Sequence, residues 1–170
     1  NARNITISLD LNYRTKLWKY GKEPIDILPE LAQYCTLIMG NVWAANKMLG
    51  TALHEDLTVA EGYAKETLLQ QATDTSKEIL SLFPVCKAVA NTFRFDHGKG
   101  IRYYTAIYTE GELTVSEEYV SDEILDKVGS GDCFMAGLIY GFVNQKDPQQ
   151  IVNFAAAAAY NKLFIPSDCT

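Results

Sequence analysis

Short β-branched, apolar runs alternate along this chain with segments of helical period, and the runs end on polar residues or glycine. Ile5-Thr6-Ile7-Ser8-Leu9 passes into Asp10-Leu11-Asn12-Tyr13-Arg14, Thr36-Leu37-Ile38-Met39 ends at Gly40, and Ala88-Val89-Ala90-Asn91-Thr92 follows a break at Pro84. Such runs read as strands, and strands separated by helical patterns read as βαβ units. The first run therefore reads as a buried strand that delivers polar side chains at its C-terminal end, which is where open α/β sheets bind ligands.

Between the strands, Pro24 opens a helical pattern with Ile25, Leu28, Leu31 and Ala32 facing inward, and a second helix spans 41–49, stopped by Gly50. Two helical stretches, 59–71 and 75–82, precede Pro84; 101–108 and 112–116 form a hairpin around Thr109-Glu110-Gly111. Helices over 131–143 and 148–163 finish the chain, and the alanine run 155–159 in the second implies close packing on a neighbour. The order gives one α/β layer sandwich without internal repeat or linker.

Composition narrows what the layers can do. A chain of 170 residues holds one ordinary domain, and 15 Lys plus Arg against 21 Asp plus Glu leaves a net charge of −6, which argues against a nucleic-acid scaffold. No apolar segment reaches the roughly 18 residues that cross a bilayer, and no signal peptide opens the chain, so it reads as soluble and cytoplasmic, with no membrane partner. Cys35, Cys86, Cys133 and Cys169 form no C-x-x-C pair and read as buried free thiols. His54 and His97 lack ligand spacing and read as structural or exposed, so no protein metal site is expected.

The chemistry concentrates in Asp126-Lys127-Val128-Gly129-Ser130-Gly131-Asp132-Cys133-Phe134-Met135-Ala136-Gly137. Glycines flanking Ser130 before a helix let backbone N–H groups hold an anion at the helix N-terminus, and a carboxylate in the first turn can take a proton from a hydroxyl. Gly-Ser-Gly-Asp can equally be a loop whose Asp merely caps a helix, and those four residues alone leave both readings open. The run is neither a Walker loop nor a dinucleotide fingerprint.

The longer pattern, Asp126-x-x-Gly-x-Gly-Asp-x-Phe-x-Ala-Gly, resembles the C-terminal signature of the ribokinase-like, phosphofructokinase-B type carbohydrate kinases. Asp10-Leu11-Asn12-Tyr13-Arg14, with Leu17-Trp18 after it, resembles the D-x-N-x-R segment of the 2-keto-3-deoxygluconate kinase branch. Thr92-Phe93-Arg94 is similar to that branch's nucleotide loop, and Ile165-Pro166-Ser167-Asp168 to its terminal I-P-G-D. The resemblance implies a three-layer α/β/α ribokinase-like, Rossmann-like sheet, of which residues 1–170 form the C-terminal nucleotide-binding and catalytic part as a single domain, without the lid.

By the same resemblance, Asp132 is the general base and Gly129, Ser130 and Gly131 form the anion hole for the transferred phosphate. Asn12, Tyr13, Thr92, Arg94 and Gly98 line the ATP side, and Arg14 and Asp168 bind the sugar acid; Asn161 is a further contributor to an adenine pocket. ATP and Mg²⁺ are the implied cofactors. The family's N-x-x-E, which organises the metal, reads here Asn41-Val42-Trp43-Ala44, so the Glu is missing and a protein-held Mg²⁺ is in doubt. Ser167 stands where the pattern has Gly, and Phe93 where it has Leu.

Family members are about twice this length, so the chain reads as half of a longer parent. The half alone is expected to have little kinase activity, and the parent's homo-oligomeric state stays open. The leading reading is ATP-dependent phosphorylation of a sugar acid. A neutral-sugar or nucleoside kinase, and a non-catalytic phosphate- or nucleotide-binding module, are the alternatives.

Overall fold

The computed structural model describes residues 5–57 and 63–167. The chain is mixed α/β. Its strands are β1 (Ser8–Asp10), β2 (Leu37–Gly40), β3 (Ala88–His97), β4 (Gly100–Thr109), β5 (Glu112–Val115) and β6 (Tyr119–Ser121). Its α-helices are α1 (Leu28–Ala32), α2 (Val42–Leu49), α3 (Lys65–Leu82), α4 (Ser130–Val143) and α5 (Pro148–Lys162). The sheet order is β1-β2-β3-β4-β5, with β6 on β4. Two compact units divide the chain, Asn1–Asn91 with Tyr108–Glu112, and Thr92–Ile107 with Leu113–Thr170, so β3 and β4 run through both.

In the first unit β1, β2 and the start of β3 are parallel, with Leu9 opposite Ile38 and Ile38 opposite Val89. Leu11, Ile38 and Val89 join Ala45, Met48, Leu49 and Ile79 in one core. Gly40 is required at the end of β2, because a Cβ there would come within 2.8 Å of the Leu11 Cβ. Asn41 caps α2 by accepting from the Ala44 N–H at 2.8 Å, and Gly50 ends it at φ 76°.

The first strand corrects the sequence expectation. It begins at Ser8, and Ile5 and Ile7 are 56% and 37% exposed. Among the described residues β1 pairs only with β2, and Ser8 is exposed with Leu9 and Asp10 half-buried, so the strand is not buried here.

The Pro24 helix is also broken. A 3-10 turn over Pro24–Asp26 gives way to α1, with Leu28 and Ala32 buried but Ile25 and Leu31 exposed. Pro29 has no N–H to donate back to residue 25, so the helix restarts at Leu28 and the register of its apolar face shifts.

Conversely, the two stretches expected before Pro84 are one helix through Leu82; residues 58–62 lie outside the described residues. Thr73 donates its hydroxyl to the Leu69 carbonyl at 2.9 Å, and Gln71 donates to the buried Thr75 hydroxyl at 2.8 Å. The polar residues that suggested a break satisfy themselves within the helix.

In the second unit Phe93 stacks on Tyr104 with ring centroids 4.9 Å apart. The chain reverses at Gly98 (φ 58°) into β4, so β3 is five residues longer than expected. The predicted hairpin between β4 and β5 forms; its Glu110 and Gly111 both have positive φ, 54° and 89°, the pattern of a type I′ turn. β6, which the sequence did not mark, pairs antiparallel with β4, and its Tyr119 stacks on Tyr160 of α5 at 4.6 Å.

The alanine run does pack closely: Ala155 lies under Gly137 of α4. Cys35 and Cys86 are buried, and burial pushes the Cys86 thiol up to about 11, whereas Cys133 is only partly buried, against expectation. Cys169 lies outside the described residues.

Candidate active site

Gly129 sits immediately before α4 in the left-handed region, φ 78°, which glycine adopts without strain. No side chain caps this helix. The Cys133 N–H donates back to the Gly129 carbonyl at 2.9 Å, while the N–H groups of Gly131 and Asp132 meet no acceptor among the described residues. An uncapped first turn carries partial positive charge and open donors, the requirement for an anion hole. Asp132, the third residue of the helix, is exposed.

The Ser130 side chain is buried, and its hydroxyl donates to the Ala159 carbonyl at 3.1 Å. Ser130 therefore pins the start of α4 to α5, and its backbone N–H donates to the Lys127 carbonyl at 3.4 Å, so the open donors of this turn are those of Gly131 and Asp132.

Neighbouring contacts position the loop. The Asp126 carboxylate accepts from the Val128 N–H and from the Ser167 N–H, each at 3.0 Å. These two bonds, the Val128 one first, hold its carboxyl below the usual carboxylate range, and the Lys162 charge adds to them. Lys127 pairs with Asp96 near the end of β3 at 2.7 Å. Ser167 has φ 74°, so the position where the resembling pattern carries Gly does need a left-handed backbone. The sequence assigns no role to Asp126, Lys162 or Ser167; the signals it holds for them are that Asp126 opens the motif and that Ser167 replaces Gly.

Thr92 and Arg94 lie within β3 and not in a loop. Strand alternation puts them on one face, with the buried Phe93 on the other. Arg94 is exposed, as is Gly98 in the turn that follows. In the first unit Asn12, Tyr13 and Arg14 follow β1; the exposed Arg14 donates its Nε–H to the Asn12 Oδ1 at 3.3 Å, so these two side chains meet.

Asp168 lies outside the described residues. The Asn161 amide donates to the Ala157 carbonyl of its own helix at 2.9 Å. His54 lies 3.2 Å from the Asp74 carboxylate, and His97 is exposed.

The residues at the N-x-x-E position do not fit a protein-held Mg²⁺. The Asn41 oxygen is engaged as a helix cap, and Ala44 is buried in the core of the first unit. Among the described residues no three His, Cys, Asp or Glu side chains cluster as a metal site, and no helix is long and apolar enough to cross a membrane.

Comparison with known proteins fits this fold. The 2-dehydro-3-deoxygluconokinase of Thermotoga maritima is 28% identical over all of this chain and 48% of its own, with a TM-score of 0.83. A PfkB family carbohydrate kinase of Listeria grayi is 23% identical over 98% of this chain and 47% of its own, TM-score 0.72. An E. coli protein described as a ribokinase II, solved with ATP and Mg²⁺, is 18% identical over 98% and 45%, TM-score 0.61. The last two share the fold alone. This chain thus spans about half the length of these relatives. No curated protein matches it. The model of the pfkB family carbohydrate kinases matches residues 2–162, and the chain belongs to that family.

Proposed function

We propose that this chain supplies the nucleotide-phosphate and catalytic half of an ATP-dependent sugar-acid kinase, with 2-keto-3-deoxygluconate the leading substrate. The observation that carries the reading is the uncapped first turn of α4, entered through a left-handed Gly129 and carrying an exposed Asp132, in a chain of this family. The Gly129–Gly131 backbone neutralises charge on the transferred phosphoryl group, and Asp132 takes the proton of the attacking hydroxyl; phosphoryl transfer asks for little beyond positioning and charge stabilisation. ATP enters as its magnesium complex, the metal riding on the phosphates as part of the substrate. Thr92, Arg94 and Gly98, with Asn12 and Tyr13, are assigned to the nucleotide.

Arg14 is the proposed selector, because a guanidinium fork pairs with a carboxylate that neutral sugars lack, and its contact with Asn12 orients that fork. The 28% identical Thermotoga maritima enzyme supports the sugar-acid choice. Asp168 is assigned to a sugar hydroxyl.

The test is coupled ADP release with MgATP and 2-keto-3-deoxygluconate, ribose or fructose, using the chain alone and the longest reading frame that contains it. Release is expected with the sugar acid only, and Asp132→Asn should abolish turnover while ATP still binds. Turnover surviving in Asp132→Asn removes Asp132 from the reaction. Equal rates with ribose, or a sugar KM indifferent to Arg14→Met, move the substrate to neutral sugars.

A further inference from the structure

We propose that Lys162 is a positioning residue for this site: its buried ammonium, on the Ile165 carbonyl, holds segment 163–167 against the loop that opens α4. The inference rests on the functional reading for what the site does, but not for what Lys162 holds.

Lys162 is 4% exposed, and lysines are almost never this buried unless paired. Its Nζ donates to the Ile165 carbonyl at 2.9 Å, just beyond the end of α5. Capping a helix C-terminus needs no burial, since an exposed lysine serves that purpose equally well. Taking an ammonium out of water is worthwhile only where carbonyls and an opposite charge replace the water.

Asp126 ties down the same segment. Its carboxylate accepts the Ser167 N–H, and the Leu163 carbonyl accepts both the Leu125 and Asp126 N–H groups, at 2.8 and 3.1 Å. Segments 125–126 and 163–167 are thereby laced together, and Lys162 holds the second of them at Ile165. The lacing is under load, because Ser167 is held at φ 74°. Asp126 also fixes Val128, next to the Gly129 turn, so one network reaches both the anion loop and the residue preceding Asp168.

Lys162→Met keeps the apolar stem and removes the charge. In the folded variant, amide exchange at Leu125, Asp126 and Ser167 should accelerate at least tenfold while Val152 and Ala155 in the middle of α5 stay protected. In the kinase assay the sugar KM should rise at least fivefold with ATP affinity unchanged.

Unaltered exchange at the three amides overturns the proposal, and faster exchange with unchanged sugar KM and kcat overturns the link to the site. Should Lys162→Met not fold, Asp126→Asn decides by the same amides: faster exchange at Ser167 supports the network, and unchanged exchange refutes it. If the unmodified protein phosphorylates no sugar, the functional reading fails while the exchange result still judges Lys162.

Discussion

Gly137 and Gly141 lie one turn apart on α4, and both face α5, but what each faces differs. A Cβ at Gly137 would stand 2.6 Å from the Cα of Ala155 and 3.2 Å from its backbone nitrogen. Ordinary contact begins at 3.4 Å, so the methyl is about 0.8 Å too close to main chain that no rotamer change can move. A Cβ at Gly141 would meet mainly the Ile151 side chain, at 2.7 Å from its Cγ1, and a side chain can readjust.

Replacing Gly by Ala in a helix favours folding by about 1 kcal/mol, and overpacking costs about 1–3 kcal/mol, more where backbone must separate. Gly137→Ala is therefore expected to lose about 2 kcal/mol net, and Gly141→Ala less than half of that. For a chain of this size about 1 kcal/mol corresponds to 2–4 °C, so thermal melts followed by circular dichroism should show Gly137→Ala about 4–8 °C below the parent. Since α4 opens with the Gly129–Gly131 turn proposed to hold the phosphate, nucleotide affinity should fall with it. A Gly137→Ala melt at or above the parent, or equal losses from both glycines, would refute the packing argument.

Two further predictions concern the segment beside the site. Ser167→Gly removes a Cβ from a left-handed backbone at a cost in unfolded-state entropy, and should raise stability by roughly 0.5–1 kcal/mol in urea denaturation; a loss would mean the Ser167 side chain makes a compensating contact. The folded Asp126 carboxyl lies below its ordinary 3.8, so its contribution is present above that value and fades as pH falls through the lower folded one. The urea midpoints of the parent and Asp126→Asn should accordingly differ at pH 7 and converge near pH 2; an equal gap at both would show that Asp126 stabilises the loop without its charge.

The legible parts of the fold are those where local chemistry and tertiary demand coincide. The hairpin at Glu110-Gly111 needs positive φ at both turn residues, the stop at Gly50 needs it at one, and α5 is opened by the Asp147 side chain, which accepts from the Gln150 N–H, with Pro148 behind it. Each of those requirements is written in a residue type. The misread parts are those where one residue satisfies a demand the pattern does not display. Pro29 breaks the 24–32 pattern although its apolar spacing is intact, and Thr73 and Thr75 stay helical because Leu69 and Gln71 meet their polar groups.

The site divides along the same line. The glycines and the first-turn Asp are visible as letters and are compatible with an anion hole or a capping loop; Gly129 is left-handed and the α4 turn has no side-chain cap. Nothing in the letters distinguishes the Ser130 hydroxyl, spent on Ala159, from one free to meet a phosphate, or sets the buried Lys162 apart from any lysine at the end of a helix. The spacing of Asn41 and Ala44 preserves half of a metal motif, yet folding turns the asparagine into a cap and the alanine into core. Residues that hold a site together are recognised by burial and partners, which sequence spacing does not encode. Arg14 and Asp132, the residues proposed to meet the substrate, are proposed on their type, and both are exposed, so their chemistry stays available to solvent and ligand.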